Sequence, residues 1–310
     1  MTWQDEHLAS LAQRLVALDS LADGIIHDEQ SPLHHIQLIK AAGQIQFYFV
    51  DRASGALEGP MSRMEIARPL RLLAGYTQAA MLTLLWAAEP ARVCLLGMAG
   101  GRLSLLFYHY FTATTIDNVD IDPAVAAIAS RYFGITFDQR QRIAIQDARA
   151  FLEAGLPTEA APAGKGAYDI IVMDAFRDAS DDLEHLATSQ FYQVCTRRLR
   201  PSGVVCVNLL KSDTRFFAKG KTVLSCFPHV LASQHKHSLV LLASHQRRLT
   251  PDQIAGRAAS LQRRHGFEFP FEERAAALQS TRAIAEYRAQ ALRDVTALED
   301  ERRRTKAEGG

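Results

Sequence analysis

Arg92-Val-Cys-Leu-Leu-Gly-Met-Ala-Gly-Gly101 decides the fold. Residues 92–96 form a short, continuously apolar run, as expected of a strand buried on both faces, and the run breaks into a glycine-rich loop. Beyond it the chain alternates. Residues 115–119 predict a second strand ending in Asp120-Ile-Asp122-Pro123, with Pro123 suited to the first position of a helix. Residues 142–146 predict a third strand followed by Asp147, and residues 168–173 a fourth ending in Asp174. Residues 203–209 and 238–243 read as later strands, and the Pro/Gly/Ala-rich 156–167 as a surface insertion. Strands alternating with helices argue for an α/β fold, a parallel sheet covered on both sides.

Upstream, Leu8, Leu11, Leu15 and Leu18 recur at helical spacing within residues 5–19. Residues 33–39 and 45–50 read as two strands of a hairpin around 41–44. Turn-rich stretches at 51–55 and 58–60 close this small β unit, and 63–88 reads as helical. Residues 250–308 read as polar helices, a solvated or oligomer-facing appendage. The resulting division is an N-terminal helix (1–24), a β-hairpin unit (25–62), a Rossmann-like nucleoside-binding domain (63–248) and a helical extension (249–310).

With 310 residues, the chain can bury a substantial core without disulfide or metal staples. Lys and Arg number 35 against 34 Asp and Glu, so no basic surplus points to nucleic acid. Cys94, Cys195, Cys206 and Cys226 lie far apart with no C-x-x-C pair, fitting reduced structural thiols and a cytoplasmic setting. Asp5, Glu6 and Arg14 interrupt the N-terminal apolar steps, unlike a signal peptide, and the apolar run 79–88 is too short for a membrane span. His34, His35 and His185 lack metal-ligand spacing, so no metal is expected.

In a doubly wound sheet, ligands bind at the carboxyl ends of the strands. Gly97 and Gly101 let the backbone approach a ligand closely. Asp120 lies nineteen residues past Gly101, where an acid commonly accepts ribose hydroxyls. Ala99 takes the place of the middle glycine of the dinucleotide pattern, and no third glycine follows in register. A nucleoside lacking phosphates therefore fits better than NAD. Asp147-Ala148 suits an exocyclic adenine amine, and the set describes S-adenosylmethionine or a close relative.

Ser31-Pro-Leu-His-His-Ile36, Phe49-Val-Asp51, Tyr76-Thr-Gln78, Leu96-Gly-Met-Ala-Gly-Gly101, Val119-Asp-Ile-Asp122, Gln146-Asp147 and Tyr168-Asp-Ile-Ile-Val-Met-Asp174 follow in the order found in spermidine synthases. Over residues 25–245 the chain resembles the divergent spermidine-synthase-like branch of bacterial proteins. The resemblance implies a class I methyltransferase-like fold and a homodimer. It also implies aminopropyl transfer from decarboxylated S-adenosylmethionine to a small-molecule amine, a polyamine. By position, Asp120 would hold the ribose, Asp147 and Ala148 the adenine, His34 the donor, Asp174 the attacking amine, and Tyr76 and Asp178 the acceptor.

The departures from that pattern bear on the donor. The family loop reads G-G-G-D-G, and Gly100 stands in place of the aspartate that would bind the aminopropyl ammonium and repel a methionine carboxylate. Its loss admits ordinary S-adenosylmethionine. The D-S-S-D-P loop is replaced by Asp174-Ala-Phe-Arg-Asp178, His34 stands where Gln is usual, and Thr77 replaces Gln or His. The acids within 177–185 fit either a lid that gathers a polyamine or a solvated loop. Methyl transfer to a small molecule and a catalytically silent nucleoside-binding homologue are the alternatives.

Overall fold

A computed structural model describes residues 2–155, 166–174, 185–245 and 248–281. The chain opens with α1 (Trp3–Asp19), started by a capping box in which Thr2 and Asp5 satisfy each other's backbone N–H. Leu11, Leu15 and Leu18 face inward, whereas Leu8 stays exposed.

Four antiparallel strands follow in sheet order: β1 (Gly24–Gln30), β2 (His35–Ala41), β3 (Gln44–Val50) and β4 (Leu57–Glu65). The hairpin expected around 41–44 is present between β2 and β3, and it turns through Ala42 and Gly43, both at positive φ. Two sequence expectations fail here. Residues 58–60 lie inside β4, and the helix expected over 63–88 begins only at α2 (Gly75–Ala80), followed by a 3-10 turn (Met81–Leu85). Pro60 is tolerated because β4 is an edge strand, so its missing N–H breaks no central ladder. Ser62 and Met64 alternate inward, a period of two that the helical reading overlooked.

The second sheet contains β5 (Arg92–Leu96), β6 (Thr115–Asp120), β7 (Gln141–Ile145), β8 (Tyr168–Met173), β9 (Leu199–Leu210), β10 (His229–Gln234), β11 (Ser238–Ser244) and β12 (Gln279–Ser280). Their order is β12-β10-β11-β9-β8-β5-β6-β7. From β7 to β9 the pairing is parallel, but β11 and β10 run antiparallel to their neighbours. The wholly parallel sheet is thus corrected: the three-residue link between β10 and β11 is too short for a parallel crossover. The chain reverses its direction of sheet growth at β5, between β6 and β8, which opens a crevice at the strands' carboxyl ends.

Helices cover both faces: α3 (Arg102–Tyr110), α4 (Pro123–Tyr132), α5 (Ala148–Ala154), α6 (Ser189–Arg198), α7 (Phe216–Cys226), α8 (Pro251–His265) and α9 (Phe271–Ala276). Val93 and Leu95 pack toward α2, α3, α8 and α9, while Cys94 and Leu96 pack toward α5, α6 and α7. A third core joins α1, the small sheet and α4, and it includes Met98 of the glycine loop. None of the helices among the described residues is long and apolar enough to cross a membrane.

Residues 249–281 are no solvated appendage. Ile254, Leu261, Phe267, Phe269 and Phe271 are buried in the main core, and Arg274 Nε donates to Gln78 Oε1 at 2.8 Å. The segment therefore braces α2 from outside. Its polar composition hid this because one face of α8 carries the apolar positions. Phe271→Ala is accordingly expected to lower stability by about 3–5 kcal/mol in urea denaturation. An unchanged midpoint would return the segment to the role of a loose extension.

Candidate active site

The glycine loop leaves β5 under tight backbone control. Gly97, Ala99 and Gly101 adopt φ of 86°, 44° and 63°. Ala99 therefore occupies a left-handed conformation that glycine adopts more readily. The Gly97 N–H donates to Val119 O at 2.9 Å, and the Gly101 N–H closes a turn on Met98 O at 2.8 Å.

Asp120, ending β6, reaches back to this loop. Its Oδ2 accepts from the Met98 N–H and its Oδ1 from the Asp122 N–H, both at 3.0 Å. Burial pushes its carboxyl above the usual range, opposed by these two backbone donors. A carboxylate has about four lone-pair sites, so capacity remains for hydroxyl donors.

Asp122, which the sequence reading treated only as part of a motif, is buried and multiply bonded. Its Oδ1 caps α4 through the Ala124 N–H at 2.9 Å, and its Oδ2 accepts from Ser31 Oγ at 2.5 Å and meets His34 Nδ1 at 2.8 Å. His34 also stacks on Phe49, with ring centroids 4.4 Å apart. The structure therefore makes His34 a clasp between the small sheet and α4.

Asp147 caps α5 through the Ala150 N–H at 2.8 Å, and Ala148 begins that helix. Its other oxygen meets His185 Nε2 at 2.8 Å. Burial would raise this carboxyl, but the Ala150 N–H and His185 outweigh it, and the group lies below the usual range. His185 had signalled only a loop histidine in the sequence.

Asp174 follows β8, its N–H held by Leu96 O at 2.9 Å. Asn208 Nδ2, from β9, donates to its Oδ1 at 2.9 Å. Burial pushes this carboxyl up to about 7, against the lowering effect of Asn208. Tyr76 hydroxyl donates to Met61 O at 2.9 Å. Burial and the nearby Asp174 both raise the phenol well above its ordinary value, so it stays neutral.

Gly97, Gly101, Tyr76 and Asp174 line one cleft, together with Ser62 and Arg102. Asp120, which ends β6, bonds the Met98 N–H of the cleft's loop, whereas Asp147, which caps α5 after β7, and His34, just before β2, do not line the cleft. Asp178 lies outside the described residues, as does most of the acidic stretch 177–185. The described residues contain no group of three or more His, Cys, Asp or Glu arranged to hold a metal. Asn208 and Arg102 were missed. Each left a signal: a polar residue within an apolar strand, and a charge opening an apolar helix.

Gly100 is enclosed. Its N–H donates to Ser62 Oγ at 3.0 Å, and a Cβ there would lie 2.8 Å from Phe133 ring carbons and from Ser62 Cβ. The position that carries aspartate in the resembled pattern thus has no room for any side chain here.

The fold is Rossmann-like, of the class I methyltransferase type. Solved structures that share it include a probable spermidine synthase from Corynebacterium glutamicum (TM-score 0.66, 19% identity, 89% of this chain and 97% of that one). Human methyltransferase-like protein 13 in complex with SAH also matches (TM-score 0.53, 22% identity, 62% and 89%). Within that class the chain is spermidine synthase-like and divergent. It is 29% identical over 158 residues to a polyamine aminopropyltransferase of Vibrio vulnificus (51% of this chain, 50% of that one) and 27% identical over 213 residues to one of Chromobacterium violaceum (67% and 78%). An eEF1A lysine and N-terminal methyltransferase of Xenopus laevis is 29% identical over 152 residues (46% of this chain). The match spans about half of the Vibrio protein and about a fifth of the Xenopus one. No family model matches the chain.

The enclosure of Gly100 has a direct test. Gly100→Ala is expected to cost about 1–3 kcal/mol through overpacking against Phe133, read as a lower thermal midpoint. A variant as stable as the parent would mean the loop has slack that the geometry denies.

Proposed function

We propose that this chain alkylates an amine nitrogen using a sulfonium donor of the S-adenosylmethionine type, with Asp174 accepting the proton. The observation that carries the reading is the Asp174 carboxyl, pushed up to about 7 and lining one cleft with the glycine loop and Tyr76.

An alkylammonium titrates near 10, like lysine, and arrives protonated and unable to attack. A base with a pKa near the working pH is well matched to remove that proton. Asn208 occupies Asp174 Oδ1, which leaves Oδ2 to face the ammonium. Tyr76 spends its own proton on Met61 O, so its oxygen can accept from the same ammonium. The Asp120 carboxylate suits the ribose hydroxyls and the Asp147 side the adenine, while the loop backbone approaches the nucleoside closely. A sulfonium donor supplies an electrophilic carbon and a neutral thioether leaving group, so the protein chiefly holds donor and acceptor in line.

Aminopropyl transfer to a polyamine is the finer reading that the names of the bacterial relatives support. Methyl transfer to an amine is the second reading, favoured by the closed Gly100 position and by the methyltransferase relatives. A cytoplasmic setting accords with four free cysteines, three of them buried.

Asp174→Asn is expected to lower kcat on an amine acceptor by about 10²- to 10⁴-fold while donor affinity changes little. Parental rates in that variant would remove Asp174 from the mechanism. In wild-type protein kcat/KM should rise tenfold per pH unit below about 7 and level off above it, because only the ionised carboxylate accepts a proton. The acceptor stays an ammonium throughout that range, so the limb belongs to the enzyme. Asn208→Ala removes a bond that favours the carboxylate, and the limb should move to higher pH. A flat profile between pH 5 and 8 would contradict the assignment.

A further inference from the structure

Arg102 opens α3 directly after the glycine loop and is 4% exposed. Its Nη2 donates to the carbonyl oxygens of Pro69 and Arg71, on the segment between β4 and α2. Nε and Nη1 have no hydrogen-bond partner among the described residues. No carboxylate there offsets the charge: burial alone acts on the guanidinium, drawing it down to about 10, so it remains a cation at neutral pH.

An uncompensated buried cation is costly, and proteins pair such groups. This chain does so elsewhere: the buried Arg92 holds Asp117 at 2.8 Å. Arg102 is left with two unmet, buried donors, and the residue lines the cleft that holds Gly97 and Asp174. A guanidinium donates charge-assisted hydrogen bonds to a carboxylate, and with Nη2 engaged the donors left for one are Nε and Nη1. Two positions before it, Gly100 has no space for an acid that would compete for or repel such an anion.

We propose that Arg102 receives the α-carboxylate of the donor's amino-acid portion, so that the chain takes S-adenosylmethionine rather than its decarboxylated form and transfers methyl. The inference rests on the reading of the cleft as a sulfonium-nucleoside site. The amine nitrogen forms a bond to the methyl carbon and the carbon–sulfur bond breaks. Its electron pair stays on sulfur to give S-adenosylhomocysteine, and the ammonium proton passes to Asp174. Arg102 orients the donor and selects it; it takes no part in the proton transfer.

Titration calorimetry on the full chain with S-adenosylmethionine, its decarboxylated form and methylthioadenosine tests the assignment. Wild-type protein should bind S-adenosylmethionine at least about tenfold more tightly than the decarboxylated donor, in line with the strength of a charge-assisted hydrogen bond. Arg102→Gln should lose roughly 10- to 100-fold in affinity for S-adenosylmethionine alone, with methylthioadenosine binding unchanged, and Arg102→Lys should recover part of the loss. Retained methylthioadenosine binding also reports that the variant is folded. Equal or tighter wild-type binding of the decarboxylated donor overturns the proposal even if no variant folds. An equal loss of all three ligands in Arg102→Gln also overturns it, since a purely structural arginine would behave so. If wild-type protein binds none of the three, the sulfonium-nucleoside reading fails first and takes this inference with it.

Discussion

Two carboxylates at the end of one strand organise the cleft. Asp120 holds the glycine loop through the Met98 N–H, and Asp122 joins α4 to the small sheet through Ser31 and His34. Asp122 is buried and Asp120 partly so, and both accept chiefly from backbone and side chains already fixed by the fold, so each bond they make fixes geometry at little entropic expense. An unpaired buried carboxylate is costly, and the arrangement is therefore close to all-or-none. If Asp122 lost its partners, the small sheet would lose its polar tie to the nucleoside half. Ser62, which caps the Gly100 N–H, and Met61, which accepts from Tyr76, belong to that same sheet. The small β unit is thus part of the site wall.

The central strands were legible because burial on both faces writes them as unbroken apolar runs, as at 92–96 and 168–173. The edges were not. β1 (Gly24–Gln30) is largely polar because it has solvent on one side, and β4 contains Gly59 and Pro60, which signal a turn unless the strand is known to be an edge. The C-terminal segment misled through composition. Most arginines and glutamates of 249–281 are exposed, while eight apolar side chains, Phe271 among them, complete the core. Asp120, Asp147 and Asp174 were legible as acids at or just after the carboxyl ends of β6, β7 and β8, and of the three Asp174 lines the cleft. Arg102 was not, since an arginine after a glycine loop is ordinary on a surface and informative only when it proves buried without a counter-charge.

The balance of 35 basic and 34 acidic residues conceals a local polarity in the cleft. The cleft lining includes both Asp174, whose carboxyl burial pushes up to about 7, and Arg102, charged and short of partners. A donor that brings both a sulfonium and a carboxylate, and an acceptor that brings an ammonium, would complete that polarity. The relatives divide between aminopropyl and methyl transfer, and both chemistries place an electrophilic carbon before an amine. What separates them is the far end of the donor, which the proposal sets against Gly100 and Arg102 in the loop and first helical turn.

A crystal structure of the chain with S-adenosylhomocysteine tests the account most directly. The expected result is a nucleoside at the ends of β5, β6 and β7, with its ribose on Asp120, its carboxylate on Arg102 and its sulfur facing Asp174. A ligand bound elsewhere, or one seated in the cleft with its carboxylate turned away from Arg102 into solvent, would contradict it.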